Sequence, residues 1–265
     1  MLAETALEYL DISRGLIKSF DEQFDRESFR IKTRGRDAHV KAATVLGLAV
    51  HVHKLGAVAL DLLEREVPVL LVIPTLRACF ETALTAHWTA QSTDATAAMY
   101  NKEGNQRRAA QKTLAAAQSS TMQDLAARVA HTDLPKLATS SDQQAKYFEQ
   151  LLADFDADGT DAYAYYRILS TFSHPSATLV DQYLEEDPDP EVPFTLLTEP
   201  TDTLTPGACM NLVGCCLVWA GSAARYVQQD TKARRFELRD AANALGTIAD
   251  IQLNPKALLR QPRKR

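Results

Sequence analysis

The sequence predicts an all-α fold, a multi-helix bundle with long antiparallel helices, and three observations carry that prediction. Apolar residues recur at helical spacing over most of the chain, strand-type alternation is nearly missing, and prolines such as Pro68, Pro175 and the group from Pro188 to Pro200 punctuate the periodic stretches. With 265 residues, 46% of them hydrophobic, the chain has enough apolar surface for a sizeable core. We read residues 1–253 as a single all-helical domain with its motif-bearing core over about 40–185 and C-terminal helices over about 204–253, followed by a basic tail at 254–265.

Leu7, Leu10, Ile17 and Phe20 mark a first amphipathic helix over about residues 2–22. After a charged connector, Val40 through Leu63 supply the apolar positions of a long helix from Asp37 to Glu66, which Pro68 closes. Val69 to Gln91 is apolar all round and therefore predicted to be central, with Pro74 kinking it or marking its start. Ser92, Thr93 and Asp94 are candidate N-caps for an Ala-rich helix reaching about Ser119, and a short helix restarts near Thr121 and reaches His131. Ser141-x-x-Gln144 resembles a capping box opening a helix through Phe155, which Asp158-Gly159 ends.

Thr160 or Asp161 caps the next helix, which Pro175 interrupts. A residue before proline is disfavoured in the α region, so His174 is placed at a helix junction. Helix resumes from Ser176 to Glu185, residues 187–203 form a loop or one short hairpin, and two helices follow at Pro206–Gln229 and about Thr231–Leu253. Gly207, Gly214 and Gly221 recur every seven residues, which lines one face of the first of these with positions that let another helix approach closely. The run from Gly207 to Ala224 approaches membrane-spanning length, with Asn211 its only strongly polar residue, but that glycine face points to a packed interior instead of a membrane.

The formal charge is −5, and because the tail carries Lys256, Arg260, Arg263, Lys264 and Arg265 without an acid, residues 1–253 sum to −10. A globally basic nucleic-acid surface is therefore excluded, which leaves a local cationic pocket or the tail for any such contact. Cys79, Cys209, Cys215 and Cys216 lie in apolar runs without a C-x-x-C pair and read as core residues, not as zinc ligands or a disulfide framework. The first residues lack a basic segment leading into an apolar run, so no signal peptide is expected and the cytoplasm is the expected compartment.

The segment from Tyr165 to Pro175 carries the chemistry. Arg167 and His174 are seven apart, two helical turns, with Ser170, Thr171 and Ser173 between them and with Tyr163, Tyr165, Tyr166 and Tyr183 nearby. A fixed cation beside a titratable imidazole suits phosphodiester chemistry without a metal, one group moving a proton while the other holds the phosphate. Chance supplies about one arginine-to-histidine spacing of this kind in such a composition, and the chain has a second, Arg34 to His39, which reads as a solvated turn. Arg77 and Glu81, four apart in the most apolar helix, form either a structural ion pair or part of the same cavity as Arg167 and His174. His51 and His53 face different sides of their helix, and P-loop, Rossmann and G-x-S-x-G patterns are missing, so neither a metal nor a cofactor is expected.

Leu76-Arg77-Ala-Cys-Phe-Glu81 together with Tyr166-Arg167-x-x-Ser170-x-x-x-His174-Pro175-Ser176 resembles a widespread bacterial family of uncharacterised helical proteins, over about residues 40–185. More distantly, the arginine and the following histidine resemble the HEPN superfamily, although Ile168 follows the arginine where that superfamily often has a polar residue. The HEPN resemblance implies a metal-independent ribonuclease of a toxin or phage-defence type. Its site would comprise catalytic Arg167 and His174, supported by Arg77, Glu81, Tyr166, Ser170, Ser173 and Tyr183. It further implies RNA as substrate, attack by the ribose 2′-hydroxyl and a homodimer, and leaves open whether there is a partner or antitoxin chain. The alternative reading is a non-catalytic helical interaction or small-anion-binding protein built on a buried Arg/Glu/His network.

Overall fold

The structure, a computed structural model, describes residues 3–24, 39–129, 135–155, 161–188, 191, 193–201, 204–228 and 234–260. In chain order the helices are α1 (Glu4–Phe24), α2 (His39–Glu64), α3 (Val69–Gln91), α4 (Ala95–Ala115), α5 (Ser120–Val129), α6 (Asp142–Lys146) and α7 (Phe148–Leu152). They continue as α8 (Ala162–Ser173), α9 (Ala177–Asp181), α10 (Pro206–Val227), α11 (Arg235–Leu245) and α12 (Pro255–Leu258). Strands β1 (Leu184–Glu185) and β2 (Thr195–Leu196) pair antiparallel, Leu184 opposite Leu196, as the only sheet among the described residues. The chain is all-α, and it divides into two compact units. One is drawn from Met1–Ala90 and Ala157–Gln252, the other from Gln91–Asp156 and Leu253–Arg265.

The first unit is organised around α10, whose apolar residues run round its whole circumference and are met by α1, α2 and α11. By length and composition α2, α3 and α10 are each apolar enough to cross a membrane, yet the most apolar window of α10 is 83% buried inside the protein. Trp88 and Trp219, the chain's two tryptophans, are both buried in this core. The Trp219 ring meets Phe80 edge-on at 6.2 Å, and its indole N–H donates to the Ile248 carbonyl at 2.9 Å, which satisfies the polar end of a large buried ring. All four cysteines are buried free thiols.

The glycine repeat does what its spacing predicts. A Cβ at Gly207 would lie 3.3 Å from the Ala6 Cβ, one at Gly214 would lie 2.8 and 2.9 Å from the two Leu245 methyls and 3.0 Å from the Ser13 Oγ, and one at Gly221 would lie 2.7 Å from a Leu238 methyl. Glycine there seats α1 and α11 against α10. His51 is exposed while His53 is buried. The His53 ring stacks on Phe20 at 3.6 Å, and its Nδ1–H donates to the Ala49 carbonyl at 2.8 Å.

Several elements differ from their sequence expectation. The helix expected through Phe155 is two short helices, because Tyr147 is extended (φ −117°, ψ 116°), and the Ser141 side chain makes no cap hydrogen bond, so the capping box does not form. Asp94 precedes α4 but does not cap it. Its buried carboxylate instead accepts from the Ser140 N–H at 2.6 Å and the Ser140 hydroxyl at 2.9 Å. The last long helix is shorter than expected, since α11 stops at Leu245, where Gly246 adopts φ +66° and closes it. Part of the tail is ordered into the second unit: Asn254 caps α12, and Arg260 pairs with the buried Asp154 at 2.5 and 2.7 Å. The Arg34 end of the Arg34–His39 spacing, His131, Asp158-Gly159, Arg263, Lys264 and Arg265 lie outside the described residues.

Candidate functional site at the α8–α9 junction

Helix α8 ends where Pro175 requires it. His174 is the C-cap residue with extended backbone (φ −122°, ψ 150°), which turns it off the helix and leaves it exposed. Ser176 then caps α9, its hydroxyl oxygen accepting the Leu179 N–H at 3.1 Å while its hydroxyl proton goes to the Thr171 carbonyl at 3.2 Å. These two bonds fix the path of the chain on either side of the proline.

The imidazole meets an arginine from a distant part of the sequence. Arg77, on α3, lies with Nη1 2.5 Å from His174 Nε2. The Nε of Arg77 donates to Glu81 Oε1 at 2.7 Å, and its guanidinium carbon stands 5.8 Å from the centre of the Tyr166 ring. A side-chain exposure of 18% for Arg77 and 32% for Glu81 makes this a half-buried pair, so it is screened less than a surface pair and desolvated less than an interior one.

A guanidinium has only N–H donors, so its contact with His174 is a hydrogen bond only where the ring nitrogen accepts. In that bond His174 Nε2 accepts and the ring proton sits on Nδ1, the nitrogen not taken by Arg77. In this arrangement the exposed imidazole presents a hydrogen-bond donor.

Of the residues singled out in the sequence, Arg77, Glu81, Tyr166 and His174 come together. Arg167 does not join them: it is exposed, and its guanidinium has no hydrogen-bond or ion-pair partner among the described residues. Its backbone carbonyl accepts from the Thr171 hydroxyl at 2.9 Å. Ser173 donates to the Leu169 carbonyl at 2.6 Å, and the buried Ser170 Oγ has no hydrogen-bond partner. Tyr183 begins the turn into β1, its carbonyl accepting the Leu197 N–H at 2.8 Å. The Tyr165 ring packs 6.3 Å from Phe80, and burial, aided by Cys215 and Asp161, raises its pKa above the usual tyrosine value.

A second polar group in the same unit had no spacing signal. His87 is fully buried, and its Nε2–H donates to the Ile251 carbonyl at 2.8 Å, with Asp250 at 3.6 Å. Burial lowers the His87 pKa, against the opposing pull of Asp250. The Tyr226 hydroxyl donates to Asp250 at 2.7 Å, and burial together with that bond pushes its pKa up to about 12. Residues this far apart in sequence give no periodicity to read, so only the fold reveals their meeting.

The chain is all-helical, and at this junction an Arg/Glu pair on one helix meets a histidine that follows another. A family model described as a family of unknown function (DUF5677) matches residues 43–192, and the chain belongs to that family. The matched stretch contains Arg77, Glu81, Tyr166, Arg167 and His174. Comparison with curated proteins and with solved structures gives no match.

Proposed function

We propose that the α8–α9 junction is a small-anion site of phosphate type, and that the chain works by binding there instead of by catalysis. One observation carries this reading: Arg77 occupies His174 Nε2, which leaves Nδ1–H as the open donor of the ring. To this we add the exposed guanidinium of Arg167 on α8, outside the Arg77–Glu81–His174 cluster, as a cationic fork that suits a phosphate or carboxylate. Arg77 and Glu81 are positioning residues. They hold the imidazole and touch no ligand themselves. The proposal keeps the chain in the cytoplasm, where four buried thiols stay reduced.

A second reading is the HEPN-like, metal-independent ribonuclease, and the joint exposure of Arg167 and His174 favours it. In that reaction His174 Nε2 accepts the proton of a ribose 2′-hydroxyl, whose oxygen attacks the phosphorus. The 5′-oxygen of the next nucleotide leaves with a proton, a 2′,3′-cyclic phosphate forms, and Arg167 stabilises the phosphate charge. Nε2 is free for this only once Arg77 has moved away, and two such motifs would meet across a homodimer.

Incubation with a 5′-labelled RNA separates the two readings. The anion-site reading predicts phosphate binding by calorimetry that Arg167→Ala and His174→Ala each weaken by about tenfold, with the RNA left intact. Cleavage producing cyclic-phosphate ends, lost in His174→Ala, replaces it with the ribonuclease. Phosphate affinity unchanged in both variants removes the anion site.

A further inference from the structure

The second unit carries a binding groove of its own. Its sequence holds twelve Lys and Arg against eight Asp and Glu, a formal +4, which leaves −9 on the first unit. That excess lies in the tail at 253–265, with five cations and no acid, whereas residues 91–156, which form the groove, hold seven Lys and Arg against eight Asp and Glu. On this unit, α4 and α6 enclose a groove of about 440 Å³, within the range of cavities that take small organic ligands.

The lining has a definite chemistry. Ala109, a small exposed residue of α4, leaves an apolar patch of floor, while Ala98, about 16 Å away along the helix, is fully buried. Lys102 on α4 and Lys146 on α6 bring two ammonium groups to the groove, and neither has an ion-pair partner among the described residues; the Lys146 ammonium lies 4.7 Å from the centre of the Tyr147 ring. Asn105, Gln106 and Gln143 add amides able both to donate and to accept. Asp142, the one acid in the lining, already accepts from Asn101 Nδ2 at 3.1 Å.

Asn101 also makes the walls firm. Buried, it donates to the Leu137 carbonyl at 3.0 Å and accepts the Leu137 N–H at 2.8 Å, so a single side chain ties α4 to α6 and to the segment before it. A groove whose walls are held by a saturated buried amide costs a ligand little ordering.

From these features we infer that the α4–α6 groove binds a nucleoside monophosphate or a ligand of the same chemistry. The phosphate lies between Lys102 and Lys146, the flat ring rests against Ala109, and the amides of Asn105, Gln106 and Gln143 meet the ring edge. The inference concerns a different unit from the α8–α9 junction and stands independently of it.

The test uses the full chain, with adenosine 5′-monophosphate, adenosine and inorganic phosphate titrated separately by calorimetry. Adenosine monophosphate is expected to bind more tightly than either fragment, and its affinity is expected to fall at least about tenfold in Lys102→Ala/Lys146→Ala and with added salt. Ala109→Trp, which fills the floor from an exposed position, is expected to abolish binding while leaving the circular-dichroism melt unchanged. Adenosine monophosphate binding that survives both variants, or no binding at millimolar concentration, overturns the inference. Phosphate binding as tightly as the nucleotide overturns the nucleoside part and leaves an anion groove.

Discussion

Glu81→Ala offers the sharpest test of the network behind His174. The carboxylate receives the Arg77 Nε at 2.7 Å, with the two side chains 18% and 32% exposed. Breaking a fully buried pair costs about 3–5 kcal/mol and a surface pair about 0–1 kcal/mol, so this half-buried pair is expected to cost about 2 kcal/mol. Glu81→Gln keeps an acceptor for Arg77 and is expected to cost about half as much. Both tryptophans are buried in the first unit, where the pair sits, so urea unfolding followed by tryptophan fluorescence reads that unit selectively. A double-mutant cycle with Arg77→Met is expected to give a coupling energy of about 1–2 kcal/mol. If Glu81→Ala unfolds within about 0.5 kcal/mol of the wild type and the cycle shows no coupling, Arg77 is not held by Glu81 and the positioning argument is wrong.

Other predictions follow from the packing and from buried titratable groups. Gly214→Val pushes a side chain against the two Leu245 methyls and Ser13, and is expected to lower stability by about 2–3 kcal/mol, with Gly214→Ala near 1 kcal/mol, in the same fluorescence assay. Asp154→Ala leaves Arg260 half-buried without its carboxylate, so amide exchange in α7 and α12 is expected to speed up by at least about tenfold, and unchanged protection would refute the pairing. His53 is buried, which lowers its pKa from 6.5 to about 3. The unfolded chain therefore binds a proton between those values that the folded chain does not, and stability is full above the unfolded pKa and falls as pH drops below it. The loss reaches about 2 kcal/mol at pH 5. His87, also held neutral by burial, adds to it in the same direction. His53→Gln is expected to flatten the decline between pH 7 and pH 5, and an identical decline in the variant would contradict the assignment.

Long periodic stretches were legible because their burial is encoded locally. The first helix, α2, α3 and α10 lie within a few residues of where apolar spacing and Pro68 place them, and the glycine repeat correctly announced close helix packing. Short-range signals fared worse where tertiary contacts compete for the same atoms. Asp94 and Ser141 have the right chemistry to cap helices, but the Asp94 carboxylate goes to Ser140 and Ser141 makes no cap bond. Nothing local marks Tyr147 as extended, whereas Gly246 is a residue type that commonly closes helices, and the expected bound at Leu253 overran it.

The site divides in the same way. Arg77 and Glu81, four apart on one helix, were readable as a pair, and Pro175 correctly placed His174 at a helix end. What spacing conceals is that turning His174 off the helix takes it toward Arg77, 97 residues earlier, while Arg167 stays in α8 without a partner among the described residues. Fixed helical spacing describes residues that remain in one helix, and His174 does not.

The state of His174 tests the central claim most directly, and nitrogen-resolved NMR of its imidazole reads that state near pH 7 with and without phosphate. The expected result is a ring proton on Nδ1 with Nε2 accepting, an Nδ1 resonance that moves on adding phosphate, and loss of that movement in Arg167→Ala. A ring protonated on Nε2, or an Nδ1 resonance that phosphate leaves unmoved, would contradict it.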